Sequence, residues 1–381
     1  MSNQLVLPGI GRYRTVGAAP PTVEATPARS RVAFAAAHVV ADPYADSTPA
    51  ESALDWDATL RYRHHLWSLG LGVADAMDTA QRGMGLDWAN SRELIARCGA
   101  EAAAVGGRLA CGAGTDQLTA TPAGLDEVIA AYEEQIAVVQ EAGAQVILMA
   151  SPALAAIAKG PEDYHAVYGR LLAQVARPVI LHWLGPMFAP ALTGYWGSAD
   201  LDRATATLLE LLTTWQHKVD GIKLSLLDAE RERALRGQLP AGVRMYTGDD
   251  FNYPELIAEV DGAHSDALLG IFDPIAPIAA AALRALDEGN SQRYTDLFAP
   301  TVPLSRHLFA QPTYYYKTGV VFLAWLTGHQ DHFLMVGGQQ SARSLPHLAK
   351  VFVLADEAGL FADPDLATER MRQLLAVAGM D

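Results

Sequence analysis

Short apolar runs alternate with longer stretches of helical spacing along most of this chain. The first run is RVAFAAAHVV (31–40), and others follow at 71–77, 108–114, 145–151, 178–185, 218–228, 243–250 and 266–274. Between them, apolar positions recur at helical intervals in 55–70, 88–106, 124–143, 161–176, 198–216, 253–262 and 275–290. Gly143 reads as a helix stop and Ser198 as an N-cap. Eight short strands, alternating with these helical stretches, suit a parallel sheet covered on both faces. Eight such units in roughly 250 residues predict an α/β fold, a (β/α)8 TIM barrel. The competing doubly wound sheet favours a glycine-rich phosphate turn after its first strand, and AAAHVVADPYAD (35–46) has none.

The repeat defines three regions. Residues 1–30, with Pro20, Pro21 and Pro27, read as an extended arm with one short hairpin. Residues 31–290 are the barrel. Residues 291–381 read as a C-terminal helical extension packed on it, with the strongest periodicity in 312–328 and 344–360.

Composition narrows the function classes. Half of the 381 residues are hydrophobic and 19% are charged, so a large core can form. The net charge of −15 and the lack of a basic patch argue against nucleic acid or an anionic membrane as partner. No apolar run is long enough to span a bilayer. Two cysteines, Cys98 and Cys111, suit reduced buried residues of a cytoplasmic protein rather than a disulfide framework.

The sixth run, KVDGIKLSLLD (218–228), sets one lysine among apolar residues. Lysine is seldom fully buried without a partner, and desolvation turns it toward a neutral amine nucleophile. In a (β/α)8 barrel, chemistry gathers where strands end. The strand-end candidates are Lys223 and Ser225, His182, Asp78 and Thr79, Gly112 and Thr115, Tyr246, Gly248 and Asp249. Alternation places Gly221, Lys223 and Ser225 on one face of their strand. Each candidate has a structural alternative: His182 as a core histidine, Asp249 as a helix cap, Tyr314–Tyr316 as packing with one of them leaning over the mouth. The expected cofactor is none. A divalent metal on His38, His182 and Asp249 is the chemically allowed alternative.

Four ordered motifs resemble the dihydrodipicolinate synthase / N-acetylneuraminate lyase family of Schiff-base class I aldolases. VDGIKLS (219–225) resembles its strand-six GIK, whose lysine forms an imine with a pyruvate-type carbonyl. YTGDD (246–250), GAGTDQLT (112–119) and RPVILHWLG (177–185) resemble its strand-seven, strand-three and strand-five motifs. The departures fall on the chemistry. His182 stands where the family has its proton-relaying tyrosine. Pro152, Ala153 and Leu154 match the PYY that holds a second tyrosine. DTAQR (78–82) replaces the carboxylate-binding GTTGE and keeps only Thr79.

The resemblance implies a lyase acting through a Lys223 imine, by C–C cleavage or dehydration, and a homodimer or homotetramer. His182 is then the expected general acid/base. Asp78 at the carboxylate cradle favours a neutral polyol or keto-sugar over a 2-keto acid. The metal alternative is a keto-sugar eliminase or isomerase; a third reading is a non-catalytic small-molecule binder.

Overall fold

Each of the eight apolar runs contains one strand of a closed parallel barrel in the computed structural model, which describes residues 4–17, 19–23, 26–46, 53–259 and 262–380. The strands are β1 (Ala33–Ala36), β2 (Gly72–Asp75), β3 (Leu109–Ala113), β4 (Gln145–Leu148), β5 (Val179–Leu184), β6 (Val219–Ser225), β7 (Arg244–Thr247) and β8 (Asp266–Leu269). Each pairs with its sequence neighbours, and β8 closes on β1 through Leu268 opposite Phe34. Almost every strand residue is buried, as a sheet covered by helices requires.

Alternation divides the side chains into two cores. Phe34, Ala74, Ala110, Ile147, Ile180, Tyr246 and Leu268 pack together inside the barrel. Val73, Cys111, Leu181, Trp183, Ile222 and Leu224 join the larger core between the sheet and the helices. The phenol of Tyr246 donates to Asp220 at the start of β6 (2.6 Å), so that side chain is anchored toward the N-terminal end of the barrel.

The helices begin where polar side chains can cap them. Asp55, Asp87, Asp228, Asn290 and Asp363 each accept a backbone N–H from the first turn. The cap expected at Ser198 lies instead at Asp200, which accepts from Asp202 and Arg203, while the Ser198 hydroxyl accepts from Asp200. The helix expected over 253–262 is only Tyr253–Ile257; the chain turns extended at Ala258, and residues 260–261 lie outside the described residues. The crossover from β6 to β7 is the mostly charged helix Ala229–Arg236, which buries only Glu232 and Leu235.

Residues Gln4–Leu7 and Gly11–Arg14 form an antiparallel hairpin. The hairpin and the chain after it dock on the C-terminal helices, with the Tyr13 phenol and the Val16 N–H both donating to Asp356 at 2.7 Å. At the centre of the C-terminal region the helix Tyr316–Leu326 is buried at every position. A helix that is apolar all round needs such an enclosed place. Its first residues reach the mouth of the barrel. Among the described residues no helix is long and apolar enough to cross a membrane.

Candidate active site

Lys223 lies near the C-terminal end of β6, 7% exposed, in a chamber of about 20 Å³. The chamber is lined by Asp78, Thr79, Asp250, Ser225, Tyr316 and Phe188, among others. It has room for about one water-sized group. A glycine clears space for the lysine. At Gly248 a Cβ would lie 2.2 Å from the Ser225 hydroxyl and 2.9 Å from the Lys223 Cε.

Burial lowers the Lys223 pKa, against the opposing pull of the Asp78 and Asp250 charges. Among the described residues its ammonium forms an ion pair with neither carboxylate and no hydrogen bond. Burial also pushes Asp250 up to about 7, against the N–H of Ile271 (2.8 Å from Oδ1) and the Lys223 charge. Desolvation therefore brings the two pKa values toward each other and favours a neutral amine beside a neutral acid. Sequence reasoning took the neighbouring Asp249 for the site. Asp249 accepts from Phe251 N (2.9 Å) and Asn252 N (3.0 Å), so it shapes the turn into the next helix.

Tyr316 is the second chamber residue beyond those singled out by motif. Its hydroxyl is 2.8 Å from that of Thr79. Its ring stacks on Phe309 at 4.3 Å and meets Phe188 edge-on. Burial holds its phenol well above the ordinary tyrosine value, so it stays protonated. Next to it, Lys317 is also buried, with its amine 3.3 Å from the Tyr314 carbonyl and 4.0 Å from the centre of the Tyr314 ring. Burial takes this second lysine down to about 8, against the charge of Asp78.

Beyond the chamber lies a pocket of about 470 Å³, joined to it at Asp78, Leu184 and Phe188. Its walls are mostly apolar: Met149, Pro152, Leu184, Phe188, Leu192 and Tyr315 among them. His182 faces this pocket, with Nε2 3.1 Å from the Ser225 hydroxyl and Nδ1 buried and without a partner among the described residues. Burial, reinforced by the Lys223 charge, holds His182 well below the ordinary histidine value. Arg82 also faces the pocket, but its donors are committed to Asp116, Gln135 (2.7 Å) and the carbonyls of Gly112 (2.8 Å) and Ala76 (3.1 Å).

The remaining sequence candidates are distributed as follows. Thr115 lines the outer pocket and bonds to Ser151 at 2.6 Å. Gly112 offers its carbonyl to Arg82, and a Cβ there would collide with Ala76 and Met149. Tyr246 faces the other end of the barrel. His38 bonds through Nδ1 to Asp273 at 2.8 Å, in a network shared with Tyr62. The alternative metal donors His38, His182 and Asp249 thus belong to three separate hydrogen-bond sets, and no three His, Cys, Asp or Glu side chains converge to hold a metal among the described residues.

A family model described as "Protein of unknown function (DUF993)" matches residues 8–380. No curated protein matches. Solved structures that the chain resembles include YagE of E. coli K12, a prophage protein of the dihydrodipicolinic acid synthase family in complex with pyruvate. That likeness has a TM-score of 0.67 at 15% identity and covers 87% of this chain and 99% of that one. Dihydrodipicolinate synthase of Bacteroides thetaiotaomicron matches with a TM-score of 0.64 at 15% identity, over 84% of this chain and 97% of that one. The enzyme of Thermotoga maritima gives 0.64 at 14%, over 87% and 100%. These likenesses establish a shared fold over most of the chain.

Proposed function

Since the chain belongs to the DUF993 family, whose description names no activity, we propose a function from the site itself: a lyase of the class I aldolase type that works through an imine on Lys223. The observation that carries this reading is the desolvated Lys223 amine, without an ion-pair partner, at the inner end of a two-part cavity. A neutral amine there attacks a substrate carbonyl. The protonated imine then draws electrons from the adjacent carbon, which eases C–C cleavage or loss of a β-hydroxyl.

The substrate is a small carbonyl compound, and the charges around it favour a neutral one. Asp78 and Asp250 flank the chamber, and Arg82, the guanidinium of the outer pocket, is committed to Asp116. An anion would enter against the Asp78 carboxylate and whatever fraction of Asp250 is ionised, with no uncommitted guanidinium among the described residues to meet it. His182 stays neutral near pH 7 and can orient a substrate hydroxyl through Nδ1. Buried free cysteines agree with a cytoplasmic setting, and a homodimer or homotetramer is the assembly the fold suggests.

The test is to incubate the protein with a panel of neutral and anionic carbonyl compounds, reduce with borohydride and map the adducts by mass spectrometry. The expected result is an adduct on the peptide containing Lys223. An adduct elsewhere, or none across the panel, overturns the imine.

A further inference from the structure

If Lys223 forms an imine, a proton must reach the carbonyl oxygen as it becomes hydroxyl and then water. Three groups compete for that task, besides the lysine itself. His182 faces the outer pocket, and its Nε2 is engaged with Ser225. Tyr316 lines the chamber that Lys223 lines, and among the described residues its hydroxyl has one partner, Thr79, 2.8 Å away. A threonine hydroxyl both donates and accepts. Thr79 can therefore donate to the phenol while the phenol donates inward. Asp250 is the other acid in the chamber, but its Oδ1 accepts the Ile271 N–H, which ties it to the backbone.

The phenol is fixed in place. Its ring packs against Phe309 and Phe188, and Gly270 leaves it room: a Cβ there would come within 3.3 Å of the Tyr316 ring and 3.5 Å of the Thr79 hydroxyl. The residue opens a helix buried at every position. Rigid support of this kind keeps a proton donor at reacting distance.

We propose that Tyr316, supplied by the C-terminal helical region, is the acid and base of the Lys223 imine cycle, with Thr79 as its positioning residue. This rests on the imine reading above. The neutral Lys223 nitrogen bonds to the carbonyl carbon, and the C=O π pair moves to oxygen. That oxygen takes the Tyr316 proton, and the tyrosinate regains one from the new ammonium, leaving a neutral carbinolamine. Tyr316 next protonates the carbinolamine hydroxyl, water leaves, and the nitrogen lone pair forms C=N⁺. The tyrosinate then takes the proton of a β-hydroxyl as the C–C pair moves into the iminium, releasing an aldehyde and an enamine. Tyr316 protonates the enamine carbon. The tyrosinate so formed takes a proton from the water that attacks the iminium; Tyr316 then gives a proton to the carbinolamine nitrogen and takes the hydroxyl proton as the C–N bond breaks, freeing the ketone and neutral Lys223. Over the cycle no proton or electron is left unaccounted for.

The probe is formaldehyde, small enough for the chamber, with excess cyanoborohydride to fix each imine as a methyl group. Mass spectrometry gives the labelling of Lys223 relative to the exposed Lys159 and Lys350, which serve as internal standards. The expected result is at least a tenfold fall in the Lys223 ratio in Tyr316→Phe, with an unchanged circular dichroism spectrum. Should that variant misfold, Thr79→Val carries the test: its ratio falls and Thr79→Ser restores it. Wild-type labelling that survives loss of the phenol, or of the Thr79 hydroxyl, overturns the role of Tyr316 and leaves the imine standing. A Lys223 inert to formaldehyde in the wild type overturns both.

Discussion

His182 and Lys223 sit directly opposite one another across β5 and β6, as register partners in the parallel ladder. Burial keeps the imidazole neutral, and the Lys223 charge beside it adds to the effect. Burial also makes a protonated Lys223 costly to fold around. In the folded state its pKa is lowered, so the penalty is fully present below the folded pKa and is relieved as pH rises toward the unfolded value of 10.5. Lys223→Met removes that penalty. It is expected to abolish the adduct while leaving the melting temperature at neutral pH equal or higher. In the wild type, adduct formation should rise with pH through an apparent pKa below 10.5. A calorimetric melt and a trapping series across pH check both.

Charge selection is the second expectation. With Arg82 committed to Asp116, an anionic carbonyl compound meets Asp78 and the partly ionised Asp250 beside Lys223, and no uncommitted guanidinium among the described residues. Pyruvate should form the Lys223 adduct at least about tenfold more slowly than hydroxyacetone, a difference on the order of 1–2 kcal/mol at the effective dielectric of a protein interior. Asp78→Asn should narrow that gap by speeding pyruvate more than hydroxyacetone. Equal rates for the two compounds in the wild type would show that the carboxylates do not select.

Much of this was readable in the sequence, and the parts that were not share a cause. The eight strands were visible because each is a short apolar run between helical stretches, and Lys223 stood out as the cation inside one of them. The choice between Asp249 and Asp250 was not open to a strand-end rule, which selects both. The Asp249–Asn252 spacing, typical of a carboxylate that caps a turn, was the available clue. Tyr316 was harder. Its place at the chamber depends on how the C-terminal helices fold back over the mouth, a long-range relation that local periodicity does not carry. The saturation of Arg82 is of the same kind, since Asp116 and Gln135 reach it from other segments. The cap at Asp200 and the brief helix after Asn252 show the ordinary uncertainty of element ends.

Gly248 provides a steric test of the lysine's setting. A methyl group there would overlap the Ser225 hydroxyl at 2.2 Å and crowd the Leu224 carbonyl and the Lys223 Cε, each at 2.9 Å. Gly248→Ala should cost about 1–3 kcal/mol, as overpacked cores do. It should also reduce labelling of Lys223 by more than the stability loss accounts for, because the amine is pushed off its line into the chamber. Denaturant melts and the labelling ratio against Lys159 separate the two effects. Wild-type stability with wild-type labelling would mean that β6 and β7 yield easily at this point.

Glu232 supplies a pH test that is independent of catalysis. It is buried beneath the helix Ala229–Arg236, where the Ser265 hydroxyl donates to its Oε1 at 2.7 Å. Burial raises its pKa from 4.5 to about 8, against hydrogen bonds from Ser265 and Thr247. The folded protein therefore holds a proton that the unfolded chain releases. Stability from this group is present below about 4.5, declines as pH rises, and is fully lost above about 8. Glu232→Gln keeps the shape and removes the ionisation. It should melt like the wild type near pH 4.5 and be more stable above pH 8, by up to several kcal/mol. If the two proteins keep the same stability difference across that range, the carboxyl does not titrate as its burial requires.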